Sequence, residues 1–272
     1  MKILLLGANG MLGHALADVF VEEDLVLGDL PDYDITNYDD LNLKIDQIKP
    51  EVIINAAAYT NVDGCETDKE LCLSVNGLAM GNLAAAAKKQ QAVLIHYSTD
   101  YVFDGDNKDG YAEDEPINPV NAYGVSKAKG EELIRQSGCN FYLIRTAWLY
   151  GKYGKNFVDT IIDLSVKQEE IKVVNDQFGN PTYAPDLAKA TRQLMIDKKP
   201  FGVYHQTNAN NCSWYDFALR IKEIKGFEAV ITPVSSAEFP RPAKRPNYSI
   251  LINTKLTPLR SWQEALVEYL KK

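Results

Sequence analysis

No apolar run in this 272-residue chain approaches the roughly 20 residues that span a bilayer, so a membrane protein of the helical kind is excluded. The opening stretch MKILLLGANGMLG is apolar but is interrupted at Gly7, Asn9 and Gly10, which fits a short buried strand better than a secretory leader. The expected location is cytoplasmic. No Lys/Arg-rich stripe occurs, and the net charge of −8 speaks against nucleic acid as a partner. The only histidines, His14, His96 and His205, are scattered, which leaves no histidine-based metal site. Cys65, Cys72, Cys139 and Cys212 form no CxxC pair and read as reduced thiols rather than a disulfide framework or zinc site. Internal repeats and low-complexity segments are missing as well.

What remains is an ordinary globular composition, 46% hydrophobic and 24% charged, long enough for a large core. Short apolar runs at 2–7, 25–29, 51–58, 92–99 and 140–146 alternate with helical stretches at about 11–22, 38–49, 68–89 and 122–137. Strands alternating with helices of this length imply crossover connections and a parallel sheet, and continuous apolar strands such as VIINAAA imply a sheet covered on both faces. After Trp148 the alternation loosens, with helices expected near 155–168, 184–197 and 213–225 and from about Ser261, and strands at 171–174 and 202–207. The expected fold class is α/β, a doubly wound parallel sheet with a smaller C-terminal lobe. Residues 1–148, with strand returns from about 171–207, would form the first domain and 149–272 the second.

GANGMLG places Gly7, Gly10 and Gly13 between the first strand and the first helix. A GxxGxxG match alone is weak, but here it follows a strand and opens a helix, as a Rossmann-type dinucleotide site requires. The glycines permit a tight turn and bring a pyrophosphate against backbone N–H groups at the positive end of a helix. Asp29 ends the second strand at the offset where a carboxylate accepts from the adenosine ribose diol. No Arg or Lys lies between Asp29 and Asp40 to neutralise a 2′-phosphate, so NADH is expected to be favoured, with NADPH possible. Asp34 and Ile35 would neighbour the adenine, and the small residues of NAAAYT would line the ribose and pyrophosphate path.

Ligands of a doubly wound sheet sit beyond the carboxyl ends of the strands. HYSTDYVFDG brings Ser98, Thr99 and Asp100 to that edge, and NAYGVSK opens the next helix with Tyr123 and Lys127. At positions i and i+4 the two share a helix face. A free phenol ionises near pH 10, and a nearby ammonium is expected to lower that value and make tyrosine a usable acid/base. Thr99 would hold a carbonyl oxygen beside the tyrosine hydroxyl. The segment 235–249 gathers Arg241, Lys244 and Arg245 among prolines, either as a rigid surface turn or as a basic group for an anionic ligand.

Read end to end, the chain resembles the extended short-chain dehydrogenase/reductase family, and within it a branch of nucleotide-sugar 4-ketoreductases. The resemblance rests on GANGMLG, NAAAYTNVDGCE, YSTDYVFDG, NAYGVSK, RTAWLYG, NDQFGNPT, CSWYDFA and RPNYS. It implies Thr99, Tyr123 and Lys127 as catalytic residues. It implies Gly10, Met11, Leu12, Asp29, Asp34, Ile35, Ala58, Tyr59, Thr60 and Tyr97 as cofactor contacts, beside Gly7 and Gly13 of the glycine motif. On the sugar side it implies Thr99, Asp100 and Trp148, to which the basic loop adds Arg245. The implied reaction is NAD(P)H-dependent reduction of the C4 ketone of dTDP-4-dehydro-β-L-rhamnose to dTDP-β-L-rhamnose. Some members hold a dimer through Mg2+ bound by glutamates, one of them two positions after the third glycine. That position is Ala15 here, so no metal is assigned and a monomer or weak homodimer is expected. The alternatives are a reductase, epimerase or dehydratase of another nucleotide sugar, and a non-catalytic subunit similar to the regulatory subunit of methionine adenosyltransferase. Dehydratases of this fold carry an acidic pair where this chain has Asp100 followed by Tyr101.

Overall fold

The computed structural model describes residues 1–271. The N-terminal part builds β1 (Lys2–Leu6), α1 (Met11–Val19), β2 (Asp24–Gly28), α2 (Tyr38–Ile48) and β3 (Val52–Asn55). After these come α3 (Gly64–Thr67), α4 (Lys69–Leu73), a π-helical turn (Ser74–Leu78), α5 (Ala79–Gln90), β4 (Val93–Thr99), α6 (Ala122–Ser137) and β5 (Asn140–Thr146). The C-terminal part adds β6 (Leu149–Tyr150), α7 (Phe157–Ser165), β7 (Glu170–Val174), β8 (Phe178–Gly179), β9 (Thr182–Tyr183) and α8 (Ala184–Ile196). It ends with β10 (Gly202–His205), β11 (Cys212–Ser213), α9 (Trp214–Lys225), β12 (Val230–Val234) and α10 (Trp262–Lys271). None of the described helices is long and apolar enough to cross a membrane.

Six strands form one parallel sheet in the order β10-β5-β4-β3-β1-β2. Chain direction across the sheet reverses beside β1, since β2 lies on one side and β3 on the other. The crevice at their carboxyl ends is where such sheets bind ligands. Alternate residues of β1 serve opposite faces. Ile3 and Leu5 join Leu12 and Leu16 of α1 and Leu187 of α8, while Leu4 and Leu6 join Leu41 of α2 and Leu83 of α5. All four β1 side chains are fully buried, and each contributes on the order of 2 kcal/mol of hydrophobic stabilisation. The doubly wound sheet is therefore as expected.

A third apolar cluster, centred on Phe217, Trp262, Tyr150 and Ile161, lies entirely within the C-terminal part. Of the two segments expected to return to the main sheet, only Gly202–His205 does so, beside β5. Glu170–Val174 instead pairs with β12 in a separate two-stranded ladder, because its exposed-buried alternation fits a sheet covered on one face. The alanine-rich stretch 68–89 is not one helix. Asp68 caps α4, and the π turn re-phases the chain before α5. Cys65 and Cys72, expected as free thiols, are joined in a disulfide because the α3–α4 corner brings their Cα atoms to 5.5 Å; Cys139 and Cys212 are free.

Candidate active site

A cavity of about 930 Å³ opens along the carboxyl ends of β1, β2, β3 and β4 and continues to Trp148. Gly7 begins it. Its φ of +76° suits glycine, and a Cβ there would lie 2.5 Å from the Ala57 nitrogen, so the β1–α1 turn lies directly on the chain after β3. Gly13 does not line the cavity. A Cβ on it would lie 2.1 Å from the Gly7 carbonyl oxygen, so its part is to let α1 press against the turn.

The N-terminus of α1 is open. Asn37, Asn121, Asn156 and Ser213 cap α2, α6, α7 and α9 with their side chains, whereas α1 has no side-chain cap and no acidic residue in its first turn. Its unsatisfied N–H groups are left for an anion. Asp29 stands beside them. The Asn9 N–H donates to its Oδ2 at 2.7 Å and the Leu30 N–H to its Oδ1 at 2.7 Å, which fixes the carboxylate at the cavity wall. Asp34 Oδ1 accepts from both the N–H and the hydroxyl of Thr36, and Ile35 is buried beside it. The loop Ala58–Thr60 is held by Asn76 in the π turn: Asn76 Oδ1 accepts from the Tyr59 N–H at 2.9 Å, and Nδ2 donates to the Tyr59 carbonyl at 3.0 Å. This backbone-lined cradle, with an uncapped helix end and a fixed acceptor, fits a dinucleotide.

At the other end of the cavity α6 delivers Tyr123 and Lys127. Asn121 caps the helix by accepting from the Gly124 N–H at 2.8 Å. Gly124 lets it seat closely, since a Cβ there would fall 2.1 Å from the Tyr101 carbonyl oxygen. Thr99 donates its hydroxyl to Asp100 Oδ1 at 2.8 Å and accepts from the Tyr101 N–H at 3.1 Å. Asp100 is 3% exposed. Burial pushes its carboxyl up to about 6 against the hydroxyls of Ser249 and Thr99, and its Oδ2 makes no well-aligned hydrogen bond.

One expectation is overturned. The Tyr123 phenol is not lowered by Lys127. Burial raises it above its ordinary value of 10.0, the charge of Asp100 adds to that, and the Thr99 hydroxyl opposes it. The reason is where the lysine points: Nζ donates to the Tyr97 carbonyl at 2.6 Å and lies 3.2 Å from His96 Nε2. Burial lowers Lys127 to about 8, with Glu131 acting in the other direction. A phenol that stays protonated is suited to give a proton away.

The structure brings Gly7, Gly10, Met11, Leu12, Asp29, Asp34, Ile35, Ala58, Tyr59, Thr60, Tyr97, Thr99, Asp100, Tyr123, Lys127 and Trp148 into this one lining. Two qualify the expectation. The Tyr97 hydroxyl is turned to Thr191 Oγ1 at 2.9 Å, and Trp148 stacks on Trp214 with centroids 3.5 Å apart, so it serves core and cavity together. Arg245 is not brought in. Its guanidinium pairs with Asp63 at 3.0 Å, with Arg241 nearby at 3.7 Å, so the basic loop is strapped to the chain after β3. Sequence reasoning missed Asn55, Asn76 and His96, the first and last of which stand out as polar residues inside apolar strands. It also missed Lys44, which lies over the ring of Tyr33 at the cavity edge and pairs with Asp40 at 2.7 Å.

Fold and cavity together put the chain among the short-chain dehydrogenases/reductases, in which a tyrosine and lysine one helical turn apart face a dinucleotide crevice. Within that class it belongs to the RmlD substrate binding domain family, whose model matches residues 1–272. It is 39% identical over 279 residues to a dTDP-4-dehydrorhamnose reductase of Burkholderia thailandensis, covering 94% of this chain and 92% of that one. The crystal structure of a dTDP-4-dehydrorhamnose reductase from Clostridium acetobutylicum superposes with a TM-score of 0.96 at 43% identity, covering 100% of this chain and 99% of that one. That of the Bacillus anthracis dTDP-4-dehydrorhamnose reductase, in complex with NADP, also gives 0.96, at 38% identity and the same coverage.

Proposed function

We propose that this protein is an NAD(P)H-dependent 4-ketoreductase that converts dTDP-4-dehydro-β-L-rhamnose to dTDP-β-L-rhamnose. The observation that carries the reading is the meeting of Thr99, Tyr123 and Lys127 in the same cavity as the uncapped α1 terminus and Asp29. Residues 1–148 hold the dinucleotide and residues 149–272 mainly the sugar nucleotide, in a cytoplasmic enzyme that is a monomer or weak homodimer. The α1 N–H groups bind the pyrophosphate, Asp29 accepts from the adenosine ribose, and Lys127 holds the nicotinamide ribose. The reduced nicotinamide supplies a hydride to C4 of the sugar. Tyr123 gives its phenolic proton to the C4 oxygen as charge develops there, and Thr99 positions that oxygen. Asp100 and Trp148 hold the sugar, and Arg245 exchanges Asp63 for the diphosphate. NADH is favoured and NADPH accepted, since Asp29 repels a 2′-phosphate and Lys44 is committed to Asp40.

The test is oxidation of NADH or NADPH by the purified protein with dTDP-4-dehydro-β-L-rhamnose, with the product identified by NMR. Formation of dTDP-β-L-rhamnose supports the reading. Turnover with a different nucleotide sugar only, or cofactor binding without turnover of any, would replace it with another reductase or with a regulatory subunit.

A further inference from the structure

After β6 the chain turns back over the start of α1. Residues 151–155 read GKYGK, and the turn they form is fixed from the C-terminal part. Asn156, the buried N-cap of α7, donates from Nδ2 to the Gly151 carbonyl at 3.0 Å and lies 3.4 Å from that of Gly154. The Tyr269 hydroxyl of α10 also donates to the Gly151 carbonyl, at 3.1 Å. The top of the turn rests on α1. Tyr153 stacks on His14 with ring centroids 4.0 Å apart, and a Cβ on Gly154 would lie 3.6 Å from the Cε of Met11, the first residue of that helix. Tyr153 has φ at +63°, in the left-handed region that favours glycine. Other residues stay there only when their surroundings hold them, and they gather at ligand clamps.

The charge that this turn carries to the cavity is Lys155. Among the described residues the cavity lining holds two cations, Lys127 and Lys155, against Asp29, Asp34 and Asp100. Lys127 is buried and donates to the Tyr97 carbonyl. Lys155 is exposed and has no ion pair or hydrogen bond among the described residues. Other cations bordering the site are taken, Lys44 by Asp40 and Arg245 by Asp63. An unpaired ammonium on a fixed turn, packed beside a helix whose first N–H groups have no side-chain cap, complements an anion bound at that helix end. Asp29, tied to the Asn9 N–H, places a negative charge at the same end, so an anion there needs a counter-charge beyond the helix dipole.

We propose that Lys155 is a cofactor-binding residue whose ammonium pairs with the pyrophosphate of the dinucleotide at the α1 terminus. The inference rests on the dinucleotide reading given above and adds a contact from the C-terminal part of the chain, so that residues 149–272 hold cofactor as well as sugar nucleotide. What favours the cofactor over the diphosphate of the sugar nucleotide is the seat of the turn, on Met11 and His14 of α1. A pyrophosphate is common to NADH and NADPH. Lys155 therefore strengthens both alike and leaves the choice between them to Asp29.

Binding tests this without turnover. The affinities of NADH, NADPH and dTDP are measured by calorimetry for the parent, Lys155→Gln and Lys155→Arg. The side chain is exposed, so both variants should fold as the parent does. Gln should weaken NADH and NADPH by the same factor, about tenfold at low salt, and should flatten the loss of affinity between about 0.05 and 0.5 M NaCl. Arg should keep most of the parent affinity, and dTDP binding should hardly change. Unchanged dinucleotide affinity in Gln, or an Arg variant as weak as Gln, overturns the proposal. So does a loss confined to NADPH, which would put the lysine at the 2′-phosphate. A dTDP affinity that falls as far as that of NADH overturns it too, because the lysine would then serve the nucleotide sugar as well. Dinucleotide binding as expected, without turnover of any nucleotide sugar, would refute the proposed function and leave the inference standing; a parent that binds no dinucleotide refutes both.

Discussion

Replacing Glu131 with Gln strikes the charge that holds β5 to α6. Glu131 is 0% exposed and Arg145 1%, and the carboxylate takes Arg145 Nε at 2.9 Å and a terminal nitrogen at 2.8 Å, with Arg135 at 2.7 Å. Gln keeps one acceptor oxygen but leaves the Arg145 guanidinium buried without a counter-charge. Breaking a buried pair costs about 3–5 kcal/mol, and the retained acceptor puts this case near 3. For a chain of this size that lowers Tm by about 6–12 °C. Equilibrium urea unfolding without cofactor measures it. The loss should shrink in acid. Burial acts to raise the Glu131 carboxyl, but the hydrogen bonds and charge of Arg145, with Ser98 and Arg135, hold it below the ordinary 4.5. Its stabilisation is therefore present above that value and fades as pH falls through the depressed one. A double replacement, Glu131→Leu with Arg145→Met, should recover much of the loss because no charge is left stranded. A single-variant loss below about 1 kcal/mol, or a double variant as unstable as the sum of both singles, would refute the argument that this pair is desolvated.

Gly13→Ala would drive a methyl group against the Gly7 and Ala8 carbonyls, at 2.1 and 2.6 Å before relaxation. Overpacking of this kind costs about 1–3 kcal/mol, and NADH affinity should fall at least about tenfold by calorimetry; unchanged affinity would mean that α1 need not press on the turn. Asp29→Ala should narrow the preference for NADH by improving kcat/KM with NADPH, whereas a parent that prefers NADPH about tenfold or more would show that Asp29 does not face the ribose. EDTA should leave both activity and mass by light scattering unchanged, since Ala15 stands at the position for which the family resemblance implies a metal-binding glutamate. A dimer that dissociates in chelator would contradict this.

The helix at 122–137 and the strand at 140–146 were legible to the residue because local chemistry bounds them. Asn121 caps the helix start and Gly138, at φ +70°, ends it. The glycine turn and the Tyr123/Lys127 pair were legible for the same reason, being short-range patterns with a single fitting context. The π turn at Ser74–Leu78 escaped because apolar periodicity does not register one extra residue per turn. Long-range pairings escaped too. Nothing local tells that Arg245 is claimed by Asp63, or that the Lys127 ammonium turns to the Tyr97 carbonyl and away from the phenol. The first takes Arg245 out of the expected site, and the second, made between α6 and β4, changes the electrostatics around Tyr123.

The most direct test of the account follows the hydride itself. Parent protein is incubated with dTDP-4-dehydro-β-L-rhamnose and NADH carrying deuterium at the transferable position of the nicotinamide, and the sugar product is examined by NMR. The account predicts deuterium at C4 of dTDP-β-L-rhamnose, and a Tyr123→Phe variant that binds cofactor normally but forms labelled product about 10²–10⁴-fold more slowly. Cofactor oxidation with no label at C4, or a Phe variant as fast as the parent, would contradict it.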